Sequence, residues 1–210
     1  MTRERYPQAL PTDPALLEAR AHGVGLMTPL VCLDLSIPRL IQRLAEMVML
    51  GLTRGRISEG EARNQAMTWL IESVKPCAAF ARDLGVRIVI EPINRFQTDL
   101  ILSTQDGLAF LEQIGYDNVG LVLDTSHLNI EDKRIEASIR SAKGRLFHFH
   151  VSDSNRGYPG AGHIDFASVI HTLREIGYEG FFSGEFTSLS DAETAVRHAI
   201  DHLRPLLRQA

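Results

Sequence analysis

Cysteine is scarce in this chain, which has only two cysteines, Cys32 and Cys77, among its 210 residues. A scaffold held together by disulfides is therefore excluded. So few thiols indicate a reducing compartment, and we expect both cysteines to be small buried residues. Long apolar runs are lacking too, because the longest uncharged apolar stretch, residues 21–33, falls short of the roughly 18 residues that span a bilayer. The N-terminus has no signal-peptide core, so these absences predict a cytoplasmic protein with no membrane partner.

An excess of positive charge is also lacking, since the chain has 22 Lys and Arg, 26 Asp and Glu and a net charge of -4. This balance argues against a protein that binds nucleic acid by neutralising its phosphates. Low-complexity segments are absent and 44% of the residues are hydrophobic, which excludes intrinsic disorder. Because no linker divides the chain, we expect a single domain over residues 1–210.

From residue 46 onward, short apolar segments alternate with longer amphipathic ones. The apolar segments, which we predict to be strands, are 47–52, 86–90, 119–123, 146–151 and 180–186. The predicted helices are 58–84, 104–114, 135–142, 166–176 and 191–207. We expect the first strand to be buried and Pro76 to kink or split the first helix. Strands that alternate with helices form a parallel sheet, so the sequence predicts an α/β fold.

The first 45 residues show a weaker pattern. Helices are predicted at 13–21 and 37–45, and between them a sixth candidate strand, 24–33, is interrupted by a proline. No composition change separates this part as a domain of its own.

Four successive predicted strands end in side chains that commonly bind metals, namely Glu91, Asp124, His150 and Glu185. The C-terminal ends of parallel strands lie at one edge of the sheet, so we expect these side chains to converge. Three carboxylates gathered there repel one another unless a cation compensates their charge. The pattern therefore predicts a divalent metal site. The alternative is that these residues cap strands or pair with nearby arginines.

The residue types narrow the choice of metal. Three carboxylates and one imidazole form a mostly oxygen site, which favours one Mn²⁺ ion and also suits Mg²⁺, Co²⁺ or Zn²⁺. The absence of thiolates argues against a structural zinc site. We expect the neighbouring His148 to point to the side opposite His150 and to be packed or hydrogen-bonded, not a ligand.

Other polar residues are predicted at the same edge. His127 falls in the loop after the predicted strand 119–123 and is either solvated or available to a ligand. Arg156 can hold a substrate oxygen or pair with Asp153 at the surface. Arg54 follows the first strand, where it can bind an anionic or polyhydroxylated ligand.

Several segments carry a resemblance to a known family. They are EPINRFQTDLI from residue 91, LVLDTSHLNIE from residue 121, FHFHVSDSNRGYPGAGHIDF from residue 147, GEF from residue 184 and GLTRGR from residue 51. Together they resemble the sugar isomerase/epimerase family with a xylose-isomerase-like TIM barrel, in the ketose 3-epimerase branch of D-tagatose (D-psicose) 3-epimerase and 5-keto-L-gluconate epimerase. The part that resembles the family is 46–210, whereas 1–45 match poorly.

The resemblance implies a divalent-metal-dependent isomerase that epimerises a ketose or keto sugar acid, with proton abstraction next to the ketone and a metal-stabilised enediolate. By the same resemblance, the metal ligands are Glu91, Asp124, His150 and Glu185, of which the two glutamates are also the catalytic acid–base pair. The residues implied in holding the substrate are His127, Arg156, Gln97 and Arg54. A small sugar as ligand and a homodimer are further expectations.

This sequence departs from the family pattern in two ways. Gln97 stands where the family usually has Glu, and a neutral amide can hydrogen-bond a hydroxyl but cannot shift the charge balance of a glutamate. A full barrel has eight strands and about 250 residues, so six candidate strands predict a TIM-type barrel that is incomplete at its N-terminal side.

Three alternatives remain open. A hydroxypyruvate-isomerase-like enzyme or another aldose–ketose isomerase would share the enediolate and return the proton to the neighbouring carbon. An endonuclease IV type enzyme would need several zinc ions and more histidine ligands. A truncated, inactive member would serve as a binding or assembly module.

Overall fold

The computed structural model describes residues 47–189 and 191–208, in which strands and helices alternate as predicted. The strands, β1 to β5, are Met47–Leu50, Arg87–Ile90, Val119–Asp124, Leu146–Val151 and Phe182–Gly184. The α-helices, α1 to α6, are Arg63–Asp83, Thr104–Ile114, Thr125–Glu131, Ile135–Ser141, Phe166–Glu175 and Ala192–Arg208. The elements predicted within residues 1–45 lie outside the described residues.

The five strands form one parallel sheet in the order of the sequence, β1-β2-β3-β4-β5. Ile90 of β2 pairs with Leu50 of β1 and with Leu121 of β3, and the pairing of β3 with β4 shifts register by one residue between Leu121 and Val122. Each strand is joined to the next by a segment that contains at least one helix, which is the connection that a parallel pair requires. The described residues therefore form an incomplete α/β barrel, and the predicted α/β class is confirmed.

The core lies between the sheet and the helices that cover it. All six residues of β3 are buried, as expected for a central parallel strand that is covered on both faces. One apolar cluster joins this strand to its neighbours and to the helices through Leu121, Phe110, Phe149 and Phe166. This packing holds the C-terminal ends of the strands in fixed positions relative to one another.

β1 differs from its prediction. It ends at Leu50, a 3-10 turn follows at Leu52–Arg54, and the side chains of Val48 and Met49 are 56% and 39% exposed. The expectation of a buried strand is therefore wrong for these residues. The reason is the position of β1, which is one of the two edge strands among the strands that the structure describes.

Helix α1 begins at Arg63, five residues later than the predicted start at 58, and continues past Pro76 as one helix. Pro76 and Glu72 are both exposed, so water can solvate the carbonyl that the proline leaves unpaired. Cys77, on the same outer face, is exposed as well, which corrects the expectation that it is buried. Cys32 lies outside the described residues. None of the helices within the described ranges is long and apolar enough to cross a membrane.

Helix α2 has the bounds that the sequence predicts because both of its ends carry strong signals. At its start, the Ser103 hydroxyl accepts a hydrogen bond from the Asp106 N–H at 3.1 Å, and the Asp106 carboxylate accepts one from the Ser103 N–H at 3.2 Å. At its end, Gly115 adopts a left-handed conformation with φ of 74°. This capping box fixes the loop that connects β2 to α2.

We expect Ser103→Ala to lower the free energy of unfolding by about 1 kcal/mol, because it removes the side chain that caps α2. Ser73→Ala is the matched control, since the Ser73 hydroxyl is exposed and donates only to a carbonyl within its own helix. Denaturant unfolding of the two variants measures the difference. Equal stability of both variants would contradict the assignment of Ser103 as the cap.

Candidate metal centre

The C-terminal ends of β2, β3, β4 and β5 bring four side chains together. Glu91 directly follows β2, Asp124 is the last residue of β3, His150 lies in β4 and Glu185 directly follows β5. Each offers one ligand atom, and these atoms all lie within 4.8 Å of one another. The four side chains thus converge in the way that parallel strands require, and their role as metal ligands stays a prediction.

The imidazole of His150 lies between the two glutamates. Its Nδ1 is 3.3 Å from Oε1 of Glu91 and 2.5 Å from Oε2 of Glu185. Burial alone would lower the pKa of His150, but its contacts with Glu185 and Glu91 raise that pKa to about 10. The imidazole and both carboxylates are therefore near enough to share one cation.

Two carboxylate oxygens show that the donor set suits a metal ion. Oδ2 of Asp124 and Oε2 of Glu185 are buried and have only charge contacts, with Arg156 and His150 respectively, without hydrogen-bond geometry to any described residue. A buried carboxylate oxygen without a hydrogen bond is costly unless a cation satisfies it. Oxygen donors together with one imidazole are suitable ligands for Mn²⁺, Mg²⁺, Co²⁺ or Zn²⁺. The residues present therefore fit one divalent ion.

Asp124 also organises the segment that follows β3. Its Oδ1 accepts hydrogen bonds from the backbone N–H groups of Ser126 at 2.8 Å and His127 at 3.3 Å, and from the Ser152 hydroxyl at 2.9 Å. Burial would raise the pKa of Asp124, but neighbouring positive charges, above all Arg156, lower it. Asp124 is therefore ionised. Its Oδ1 caps the helix that follows β3, and its Oδ2 faces the cluster.

His127 lies in a helix and not in a loop. It belongs to α3, a helix that the sequence analysis does not predict, and it is buried. Its Nδ1 is 2.8 Å from the side-chain nitrogen of Asn94, a residue that the sequence analysis quotes within a motif but does not single out. The interpretation of His127 as a solvated loop residue is therefore wrong, and its contact with substrate stays a prediction.

The guanidinium of Arg156 contacts two of the acidic side chains in the cluster. Its Nη1 is 2.8 Å from Oδ2 of Asp124, and its Nη2 is 3.0 Å from Oε1 of Glu185. The first of these is a charge contact without hydrogen-bond geometry. Surface pairing with Asp153, the other interpretation of Arg156, is wrong, because Asp153 is fully buried and binds backbone groups.

Asp153 holds the loop that carries Arg156. Its carboxylate accepts hydrogen bonds from the backbone N–H groups of Ser154 at 2.7 Å, Gly160 at 2.8 Å and Ile164 at 3.1 Å. Within this loop Arg156 has a positive φ of 62°, which is uncommon for a residue other than glycine. The buried carboxylate therefore maintains a backbone conformation that directs Arg156 to the cluster.

Arg54 and Gln97, the other two predicted substrate contacts, differ in their surroundings. The guanidinium of Arg54 donates to backbone carbonyls, namely those of Gly51, Glu91, Leu100 and Ile101. Burial lowers the pKa of Arg54 to about 10. Gln97 is exposed in the turn after β2. Arg54 thus holds the loop behind Glu91, and contact of either residue with substrate stays a prediction.

His148 does not point away from His150. The two rings are in edge contact with centroids 5.0 Å apart, because residues two positions apart on a strand share a face. The expectation of opposite orientation is therefore wrong. The expectation of a hydrogen-bonded residue is confirmed, since Nε2 of His148 is 2.7 Å from the Ser183 hydroxyl. Burial and the charge of His150 lower the pKa of His148 to about 3.

Residues 35–206 match the family described as xylose isomerase-like TIM barrel. This match covers most of the chain. It begins before residue 46, which is where the resemblance based on the motifs begins. The chain belongs to this family, and the resemblance identified from the sequence is confirmed.

Two curated relatives are sugar epimerases. The L-ribulose 3-epimerase of Methylomonas sp. (strain DH-1) is 36% identical over 121 residues, which is 58% of this chain and 42% of that protein. The D-psicose 3-epimerase of Agrobacterium fabrum is 39% identical over 110 residues, which is 52% of this chain and 38% of that protein. The matches thus span about two-fifths of the length of these curated relatives.

Solved structures of the same kind superpose on this chain. An L-ribulose 3-epimerase has a TM-score of 0.69 at 27% identity and covers 83% of this chain and 80% of its own. The D-allulose 3-epimerase of Methylomonas sp. in complex with D-allulose has a TM-score of 0.64 at 30% identity and covers 74% of this chain and 59% of its own. Both structures support the barrel architecture of the described residues.

We expect Asp153→Asn to lower the free energy of unfolding by about 1–3 kcal/mol at neutral pH, because an amide cannot accept all the backbone hydrogen bonds that the carboxylate accepts. Burial raises the pKa of Asp153, but the hydrogen bonds from backbone amides lower it below its ordinary value. The carboxylate therefore stabilises the fold above pH about 4, and this contribution is lost as the pH falls through the lowered pKa.

Denaturant unfolding at several pH values tests this expectation. The gap between wild type and Asp153→Asn should be largest at neutral pH and shrink in acid. Asp201→Asn, at an exposed position of α6, should stay within about 0.5 kcal/mol of wild type. A gap that is absent at neutral pH, or that widens in acid, would contradict the role given to Asp153.

Proposed function

We propose that this chain is a divalent-metal-dependent epimerase that acts on a ketose or keto sugar acid at the carbon next to the ketone. The observation that carries the proposal is the meeting of Glu91 and Glu185 with Asp124 and His150 in one cluster. Support also comes from relatives that are named as ketose, L-ribulose and D-psicose 3-epimerases. Because the matches span less than half of those relatives, activity and substrate are proposals for this chain.

Two carboxylates on opposite sides of a substrate can invert the configuration of one carbon. Glu91 follows β2 and Glu185 follows β5, so in strand order the two glutamates flank Asp124 and His150. One carboxylate removes the proton next to the ketone, and the other, in its protonated form, returns a proton to the opposite face. The substrate gains and loses one proton, and the two glutamates exchange roles in the reverse direction.

The four residues of the cluster, Glu91, Asp124, His150 and Glu185, would hold the metal ion. When bound, a divalent ion would polarise the ketone and stabilise the negative charge that develops as the proton is removed. We propose Mn²⁺ as the physiological ion because most of the donors are carboxylate oxygens, and Mg²⁺, Co²⁺ and Zn²⁺ also suit the set.

Further residues at the cluster suit a polyhydroxylated substrate. The guanidinium of Arg156 carries a positive charge beside Asp124 and Glu185, and its pKa is raised by these carboxylates despite its burial. It can hold a substrate oxygen that becomes negative during the reaction. We propose the same for His127, and hydroxyl contacts for Gln97 and Arg54. The homodimer and the cytoplasmic setting stay predictions.

Solvent deuterium exchange tests this function. In D₂O with Mn²⁺, the protein should introduce deuterium at C3 of a ketohexose such as D-psicose, and NMR identifies the labelled carbon. A chelator should abolish the exchange. Glu185→Gln should slow it by about 10²–10⁴-fold, because an amide cannot transfer the proton. Glu193→Gln is the control, since Glu193 is exposed on α6 and pairs with the equally exposed Arg197.

The position of the label separates the alternatives. Deuterium at the neighbouring carbon, with formation of an aldose, would favour the aldose–ketose isomerase. No exchange with any of the four metals, with intact folding, would overturn the proposed enzyme and favour a binding or assembly module. Exchange that is unchanged in Glu185→Gln would contradict the proposed acid–base pair.

A further inference from the structure

The side-chain amide of Asn94 is held at both of its ends. Its Oδ1 lies 3.1 Å from the backbone nitrogen of Phe96, and its Nδ2 lies 2.8 Å from Nδ1 of His127. Because a backbone N–H can only donate, the oxygen of the amide must be the atom that faces Phe96. The nitrogen of the amide therefore faces His127. With Asn94 and His127 only 4% and 3% exposed, water is not an alternative partner on this side of the ring.

This orientation determines which nitrogen of His127 carries the proton. An amide NH₂ group can only donate, so Nδ1 of His127 must be the bare acceptor. A neutral imidazole with a bare Nδ1 has its proton on Nε2. Among the described residues, the hydrogen bond of the His127 ring is the one at Nδ1, so the N–H at Nε2 can donate to a ligand.

We propose that Asn94 is a positioning residue that fixes His127 as an Nε2–H donor toward the substrate. This inference rests on the proposed function for the identity of the acceptor, which is the substrate oxygen that becomes negative as the proton is removed. An N–H group stabilises such an oxygen, whereas the lone pair of the opposite tautomer would repel it. Asn94 acts through His127 and does not itself contact the reacting atoms.

The backbone around both residues supports a fixed orientation. The N–H groups of Gln97 and Thr98 both donate to the Asn94 carbonyl, which closes the turn after β2. The next residue, Arg95, ties this turn to the last residue of α3, because its backbone N–H donates to the Glu131 carboxylate at 2.6 Å. Two hydrogen bonds therefore join the turn to α3, one from Asn94 and one from Arg95. Together they hold Asn94 and His127 in fixed relative positions.

Long-range ¹H–¹⁵N correlation spectra of the histidine rings test the tautomer without any substrate. Comparison with His127→Gln identifies the signals of His127. We expect a bare Nδ1 and a protonated Nε2 in the wild type. In Asn94→Asp the carboxylate can only accept, so the proton should move to Nδ1. A wild-type ring with its proton on Nδ1, or divided equally between the two nitrogens, would overturn the inference.

Kinetics of the exchange reaction give the second readout. Asn94→Asp should lower kcat by about 10²–10³-fold, the effect of losing one donor to a developing oxyanion, with a much smaller change in KM. Asn64→Asp is the matched control on the exposed surface of α1 and should leave both constants unchanged. An unchanged kcat in Asn94→Asp, despite a reversed tautomer, would overturn the positioning role.

The ring spectra and the exchange activity together distinguish failure of the proposed function from failure of the role given to Asn94. If the wild type has the expected tautomer but exchanges no deuterium into any ketose, the proposed function fails while the assignment of the His127 tautomer stands. If the wild type is active but its His127 carries the proton on Nδ1, the proposed function stands and the role of Asn94 is overturned.

Discussion

The mutual repulsion of three carboxylates constrains this end of the barrel. Glu91, Asp124 and Glu185 offer oxygens within 4.8 Å of one another, and the first two of these residues are buried. Two like unit charges 4 Å apart repel by about 1 kcal/mol in water and by about 4 kcal/mol near a protein surface. Positive charge must therefore accompany them, and Arg156 and His150 supply it in this structure. A divalent ion together with Arg156 would balance all three carboxylates.

The surrounding segments are organised around the same charges. Asp124 caps α3 and thereby holds the backbone of His127, while Ser152 links the ends of β3 and β4 through its hydroxyl and backbone. Asp153 shapes the loop that directs Arg156 to the carboxylates. Asp124 thus serves both the charge cluster and the segment beside it, so a change in that segment is expected to disturb the cluster.

Much of this arrangement could be predicted from local sequence signals. The bounds of α2 follow from Ser103 and Gly115, and the convergence of the four strand ends follows from the parallel sheet. The xylose-isomerase-like family could likewise be identified from the motifs that carry these residues.

The errors arise where contacts distant in the sequence decide the outcome. Local sequence signals do not predict helix α3, because Asp124 acts both as a cluster residue and as the helix cap and the short helix follows β3 without a break. The partners of Arg156 lie up to 32 positions away in the sequence, and nothing local distinguishes them from Asp153. No local signal distinguishes Asn94, because its role depends on a hydrogen bond to a residue 33 positions away. The exposure of Val48 likewise depends on the place of β1 in the sheet and not on its composition.

A crystal structure of the protein grown with MnCl₂ is the most direct test of the central claim, because anomalous scattering locates manganese independently of activity. We predict one anomalous peak within about 2.0–2.6 Å of one ligand atom from each of Glu91, Asp124, His150 and Glu185. Manganese bound elsewhere, or no bound manganese with Arg156 alone neutralising Asp124 and Glu185, would contradict the claim.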